Sequence, residues 1–190
     1  QSILPILKQP VVYSFFAIEF ILLFSHAPFY SFYTNYLHEL GYSPFEISCL
    51  WSVGVIAEII MFACAHYLFK HLSWRILIAV CLVLTALRWV MVGSFPSFFV
   101  LQFLAQCIHA FSFGLFHLIA MRIIFQYFSQ EQQGRGQALY STMWGLGVAS
   151  GSLLAGYYWH LLSGEWIFIF AGLTTLFGLC FLAGIPKTLK

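Results

Sequence analysis

The chain has 190 residues and a net charge of +2, and it is 62% hydrophobic with only 7% charged residues; an ordinary soluble domain runs at roughly 45–50% apolar and about 25% charged. Apolar runs of about 20 residues recur along the whole length, each long enough to cross hydrocarbon, so the expected solvent is lipid. The small net charge, with no basic run and no glycine-aromatic RNA signature, gives no reason to expect nucleic acid as a partner.

Punctuation divides the sequence into six apolar segments, at about 11–37, 45–69, 75–92, 96–127, 137–161 and 166–184. All six are predicted helices. A lipid-facing strand needs a closed barrel of short segments with alternating polarity, and these segments are longer and apolar on most sides. Before the first, Gln1 stands in place of an initiator Met and no signal-peptide pattern is visible, so the chain is expected to be part of something longer.

In the first segment Glu19, His26, Tyr30 and Tyr33 project within an arc of about 60° at 3.6 residues per turn, forming a polar stripe. The turn Gly41-Tyr42-Ser43-Pro44 leads to the second segment. There Glu58 lies deep, with Trp51 and Gly54 one to two turns away on its side. A carboxyl at that depth either keeps its proton or pairs with a cation; the plainer reading is a structural Glu bonded to a neighbouring helix. The short Lys70 to Arg75 stretch follows, and the third segment carries Arg88 near its outer end. Snorkelling to the interface competes with a role as the cation for a substrate carboxylate or for Glu58.

Beyond Gly93-Ser94-Phe95-Pro96, the fourth segment places Gln102, Gln106, His109, Phe113 and His117 within roughly 80°, with Ser112 close by. This second stripe and the first are expected to share a wet cavity, because a face of polar groups in hydrocarbon must meet protein or water; interhelical hydrogen bonding without a ligand is the bland alternative. His26, Glu58 and His109 count to similar depths and are expected to converge near the midplane, with Glu19 further inward. Arg122 projects away from the stripe and reads as an interfacial anchor. After the polar Ser129 to Gly136 run, the fifth segment is crowded with small residues: Ser141, Gly145, Gly147, Gly151, Ala155 and Gly156. Gly147 and Gly151 form a GxxxG, which lets helices approach closely, and Gly145, Gly147 and Gly151 are expected to serve packing or gating. Ser163-Gly164 introduces the sixth.

Lys8, Lys70, Arg75, Arg122, Arg135, Lys187 and Lys190 fall on one side of an alternating six-helix path, which predicts both termini on the cytoplasmic side. Cys49, Cys64, Cys81, Cys107 and Cys180 have neither CxxC nor Cys/His ligand spacing and read as small buried hydrophobes. No HExxH, no Asp and no P-loop occurs; Val148 spoils the G-x-S-G of an intramembrane serine protease around Ser150-Gly151, and the last segment has no His. An enzyme, a metal site and a cofactor are therefore not expected.

Residues 50–62, Leu-Trp-Ser-Val-Gly-Val-Ile-Ala-Glu-Ile-Ile-Met-Phe, then Leu87-Arg88-Trp89, and then residues 117–122, His-Leu-Ile-Ala-Met-Arg, resemble the C-terminal half of the phenylpropionic acid transporters, a family of the major facilitator superfamily related to lactose permease. Gly41-Tyr42-Ser43 and residues 137–141, Gln-Ala-Leu-Tyr-Ser, are also similar, so the resemblance runs over essentially all six segments. It implies an all-α fold: a six-helix half-domain over residues 1–190, one half of a twelve-helix fold built as a 3+3 inverted repeat, whose first and fourth helices line a central cavity. It implies that Arg88 and His109 stand where the lactose permease branch places proton coupling and charge pairing. Ser112 replaces the Glu that follows the helix-four His in that branch, and the helix-two sugar-site Glu falls at Gly54, one turn from Glu58. The proton site cannot therefore be copied across.

The expectation is a multi-pass protein of the bacterial inner membrane, half of a symporter that imports a proton with a small aromatic carboxylate such as 3-phenylpropionate. Substrate binding is expected from Arg88, His109, His26, Tyr30, Tyr33, Gln106 and Phe113, and proton coupling from Glu58, Glu19 and His117. The expected partners are the carboxylate, the proton, the lipid bilayer, and either the missing N-terminal half or a second copy of this one. A sugar or nucleoside symporter of the same branch and a non-transporting scaffold or sensor are the competing readings.

Overall fold

The computed structural model describes residues 2–187; Gln1 and Lys190 lie outside the described residues. A single helical turn at Leu4–Leu7 precedes α1 (Pro10–Glu39), α2 (Pro44–His71), α3 (Trp74–Ser94), α4 (Phe99–Tyr127), α5 (Gln133–Tyr158) and α6 (Gly164–Gly184), and the described residues contain no strand. All of these helices except α5 are long and apolar enough to cross a membrane by length and composition. At 26 residues α5 is long enough. Its glycines and serines, the residues that let it press against α1, dilute its hydropathy.

The starts and stops have local causes. Pro10 and Pro44 occupy the first turn of their helices, where a missing N–H costs nothing. Ser43 and Glu46 cap α2 reciprocally: the Glu46 N–H donates to Ser43 Oγ at 3.3 Å and the Ser43 N–H to Glu46 Oε2 at 2.8 Å. Gly41, at φ +91°, ends α1 in the left-handed conformation a glycine adopts without strain. Beside it the Tyr42 hydroxyl donates to the Pro96 carbonyl at 2.6 Å, tying the α1–α2 turn to the α3–α4 turn. Burial and the Glu46 carboxylate push this hydroxyl above its ordinary pKa, so it stays a donor.

Several predicted boundaries move. The fourth helix starts at Phe99, because Phe95 to Phe98 form the turn. The fifth begins at Gln133: Ser129 accepts from the Gln132 and Gln133 N–H groups, and the polar residues that suggested loop already carry helical backbone. It ends at Tyr158 instead of 161, and α6 tightens into a 3-10 turn over Gly178–Gly184. A π turn at Ala110–Leu115 interrupts α4.

α5 runs parallel to α1 and touches it along its length. A Cβ on Gly147 would lie 2.9 Å from the Phe20 carbonyl oxygen, and one on Gly151 2.5 Å from that of Phe24. Higher up, Ser31 Oγ and Ser152 Oγ are 2.8 Å apart, and Phe32 stacks on Trp159 at 4.5 Å. Gly145 meets nothing within 4 Å, so the helix packing expected of it is absent among the described residues; it points away from the seam its neighbours form.

One end of the bundle gathers the cations. Arg75 donates to the carbonyls of Ile185 at 2.8 Å and Ala183 at 3.0 Å, tying the start of α3 to the end of α6. Arg122 lies 3.8 Å from the centroid of the Phe69 ring, joining the ends of α4 and α2. Two buried apolar clusters fill the interior: one nearer this basic end, around Phe15, Phe116 and Ile119, the other nearer the opposite end, around Phe29, Tyr33, Trp89 and Phe168.

Candidate functional site

The polar residues that must be placed inside the bundle collect around Arg88. α3 buries Cys81, Thr85, Arg88, Trp89 and Val92 at three-to-four-residue spacing, so the same periodicity that packs the apolar face carries the guanidinium inward. Arg88 is fully buried and does not snorkel. Its Nη1 donates to Ser112 Oγ at 3.2 Å and approaches His26 Nε2 at 3.4 Å, while Nη2 donates to Gln106 Oε1 at 3.3 Å. Phe29 and Trp89 hold the guanidinium carbon 4.2 and 4.6 Å from their ring centroids. His26 Nδ1 sits 2.8 Å from the Leu22 carbonyl oxygen, which only the protonated nitrogen satisfies, so Nε2 is the acceptor that faces the arginine. Arg88 Nε and Gln106 Nε2 are buried donors without a partner.

A second pair lies one turn along. Glu58 Oε1 approaches His109 Nε2 to 2.9 Å, both side chains retaining slight exposure at 16% and 11%. The approach is within ion-pair distance, yet Oε1 makes no aligned hydrogen bond and His109 Nδ1 is also unpartnered. Gly54 makes room for this contact: a Cβ there would lie 3.2 Å from Gln106 Oε1 and 3.4 Å from the His109 ring, whereas one on Gly114 would meet the Glu58 side chain at an ordinary 3.5 Å. Gly54 thus does for α2 what a larger residue there would prevent.

The π turn sets the direction of α4. In an unbroken α-helix residues 109 and 117 would be offset by about 80°; the wide turn absorbs one extra residue and brings them to within roughly 20°. His109, Phe113 and His117 accordingly form a ladder of nearly parallel rings, 5.6 Å apart at 10° and 6.3 Å apart at 8°. At its lower end His117 Nδ1 meets the Tyr140 hydroxyl of α5 at 3.0 Å.

The structure therefore brings His26, Glu58, Arg88, Gln106, His109, Phe113 and His117 into one region. Tyr30 borders it, half-buried, with its ring 6.0 Å from that of His26 and 6.2 Å from Trp144. Tyr33 borders it too, its ring 4.7 Å from that of Phe29 and 6.0 Å from Trp51; its hydroxyl donates to Gln102 Oε1 at 3.1 Å, and Gln102 Nε2 in turn donates to the Met91 and Phe95 carbonyls at 3.2 and 3.3 Å, capping the end of α3. Glu19 stands apart, fully buried, with neither carboxyl oxygen hydrogen-bonded. The space expected between the stripes is closed around Arg88, where His26, Gln106 and Ser112 pack on it and are at most 1% exposed, while Tyr30, Glu58, Phe113 and His117 keep partial exposure. A groove of about 420 Å³ lies elsewhere, between α1, α5 and α6, lined by Phe24, Pro28, Gly151, Leu154 and Phe170 among others.

Phe29, Trp89 and Tyr140 are members of the site that sequence reasoning did not single out. The signal for Trp89 was its position next to Arg88, and for Phe29 its place three residues beyond His26; each looks like ordinary core until the arginine is known to be buried.

Membrane-length helices around a largely buried cluster of histidine, arginine and glutamate define a polytopic helical membrane protein. The chain matches the MFS_1 like family, MFS denoting the major facilitator superfamily, over residues 1–170, and it belongs to that family. As a member of a transporter superfamily it is not an enzyme. A curated relative, the "Probable 3-phenylpropionic acid transporter" of Escherichia coli (strain K12), is 32% identical over 163 residues, which is 80% of this chain and 41% of the relative. The chain thus spans well under half of that relative's length. No solved structure matches it.

Proposed function

We propose that this chain is the C-terminal six-helix half, built as a 3+3 inverted repeat, of a proton-coupled symporter for a small aromatic carboxylate such as 3-phenylpropionate. The observation that carries the reading is the state of Arg88. A fully buried guanidinium has, among the described residues, no carboxylate within ion-pair distance, and its Nε has no acceptor at all. Burying a cation without a counter-ion is costly, and a substrate carboxylate received by Nε and a terminal nitrogen in the bidentate fork would supply one. Phe29, Trp89, Trp51 and Phe113 are placed to pack an aromatic ring beside that carboxylate. Glu58 with His109 is the adjoining proton site, with His117 and Glu19 further along. The printed name of the relative supports the choice of phenylpropionate.

The remaining wall belongs to an N-terminal half that closes the site from the other side, since carriers of this architecture bind at the interface of two bundles; a second copy of this chain is the other candidate for that wall. All six helices cross the bacterial inner membrane, with the cation-bearing end and both termini in the cytoplasm. The test is uptake of labelled 3-phenylpropionate into vesicles bearing the complete carrier under an imposed pH gradient. Uptake that needs the gradient and disappears in Arg88→Met supports the reading. Uptake of an oligosaccharide in its place, or none of either, refutes it.

A further inference from the structure

We propose that Ser25 is a positioning residue of the carboxylate site: through the Trp89 indole it fixes the orientation of the Arg88 guanidinium. The inference deepens the reading of Arg88 as the anion receptor and rests on it.

The first observation is a pair of serines. Ser25 Oγ donates to the Leu22 carbonyl at 2.6 Å and Ser112 Oγ to the His109 carbonyl at 3.3 Å, each bond reaching three residues back along its own helix. Bonds of this kind are ordinary in transmembrane helices, and Ser48 and Ser52 of α2 reach four residues back in the same way. Ser25 and Ser112 do more, because each also receives a donor from α3. Trp89 Nε1 donates to Ser25 Oγ at 3.3 Å, and Arg88 Nη1 donates to Ser112 Oγ at 3.2 Å. Consecutive residues of α3 are thus held by one serine on α1 and one on α4.

The second is direction. An indole nitrogen only donates, and a hydroxyl has one proton to give. With the Ser25 proton committed to Leu22, a lone pair of its oxygen is left for the indole. The same Leu22 carbonyl oxygen stands 2.8 Å from His26 Nδ1, and the His26 ring meets that of Trp89 edge-on at 4.8 Å and 79°. One carbonyl of α1 therefore anchors two branches, Ser25 with Trp89 and His26 alone. Both end on Arg88: His26 Nε2 lies 3.4 Å from Nη1, and the Trp89 ring centroid lies 4.6 Å from the guanidinium carbon.

The third is burial. Ser25 is 1% exposed and Trp89 and Arg88 are fully buried, so bulk water does not replace the hydroxyl when it is removed. A carboxylate taken in the bidentate fork lies in the plane of the guanidinium, and that plane is set by the Phe29 and Trp89 rings packed against it. An indole that swings after losing its acceptor turns the plane, and with it the vacant Nε.

The experiment reads Arg88 without substrate, so its failure is separate from that of the solute reading. The complete carrier, in lipid nanodiscs with nitrogen-15-labelled tryptophan and arginine, gives an indole resonance for Trp89 that vanishes in Trp89→Phe and an Nε resonance for Arg88 that vanishes in Arg88→Lys. Ser25→Ala should move both. Ser25→Thr should restore them, because threonine makes the same bond back to its helix and the groove between α1, α5 and α6 lies beside this residue to take the methyl group. In the Trp89→Phe background, Ser25→Ala should leave the Arg88 resonance where Trp89→Phe alone puts it, as for groups acting through one path. Affinity for 3-phenylpropionate should fall about three- to tenfold in Ser25→Ala, the effect of one lost hydrogen bond, and recover in Ser25→Thr. An Arg88 resonance that Ser25→Ala does not move, a shift that persists in the Trp89→Phe background, or shifts without any change in 3-phenylpropionate affinity would overturn the positioning role. Resonance shifts as expected in a carrier that binds no 3-phenylpropionate would support it and refute the proposed solute instead.

Discussion

The α1–α5 seam can be tested at Gly151. A methyl group there would sit 2.5 Å from the Phe24 carbonyl oxygen and 2.6 Å from the Ala27 Cβ. Neither neighbour is the free end of a flexible side chain, so the helices themselves must part. Restoring an ordinary carbon–oxygen distance requires roughly 0.8 Å of separation, and a radial gap of that order forfeits a quarter to a half of each dispersion contact along the seam. In hydrocarbon no hydrophobic term compensates, because lipid is as apolar as the helix surface. Gly151→Ala should therefore destabilise by about 1–3 kcal/mol, the usual cost of overpacking. Gly145→Ala is the internal control. A Cβ there meets nothing within 4 Å, and the gain in helix propensity should stabilise by up to about 1 kcal/mol. Reversible unfolding in mixed micelles, followed by tryptophan emission, measures both. Equal stability of the two variants would refute the close-approach argument.

Three other substitutions probe named contacts. Arg88→Lys keeps the charge but cannot reach Ser112, Gln106 and His26 together, so substrate binding by the complete carrier should fall at least about tenfold, read by equilibrium dialysis. Tyr33→Phe removes the hydroxyl bonded to Gln102 and should cost about 1 kcal/mol in the same unfolding assay while leaving carboxylate affinity unaltered. Arg75→Ala releases the Ala183 and Ile185 carbonyls, and amide exchange at the basic end of α6 should quicken without change in the middle of α1.

The stripes on α1 and α4 were legible because polar residues in an apolar helix reveal their common face through the 3.6-residue period. Their destinations were less so. Arg88 stands near a helix end, which favours snorkelling, and only tertiary packing against α1 and α4 shows it sealed beneath Phe29 and Trp89. Gln102 shares its helical face with His109, yet the turn at Phe95 to Phe98 leaves carbonyls that recruit it as a cap, something no periodicity records. The π turn has no sequence signature in this chain beyond Gly114, although it is what aligns His109 with His117. The start of α5 was misplaced for the opposite reason: Gln133 to Gly136 are polar because they lie at the bundle end, and polarity there says nothing about whether the backbone is helical.

The last prediction concerns the sign of coupling between substrate and proton. Arg88 is a near neighbour of the Glu58–His109 pair: its Nη1 lies 3.4 Å from His26 Nε2, and the His26 ring is 6.3 Å from that of His109. An anion that settles on the guanidinium cancels that positive field, and a proton then binds the Glu58–His109 pair more readily than before. By linkage the reverse must hold with equal strength: a proton on the pair tightens the hold on the anion. Carboxylate affinity in the complete carrier should therefore rise as pH falls, by at most about tenfold per pH unit if one proton is taken up. Calorimetry in buffers of different ionisation enthalpy counts the protons directly, and 3-phenylpropionamide, which brings no charge, should bind with none. A count of zero for the carboxylate would separate Arg88 from the proton site. The same count for acid and amide would mean that packing of the ring, and not neutralisation of the arginine, moves the proton.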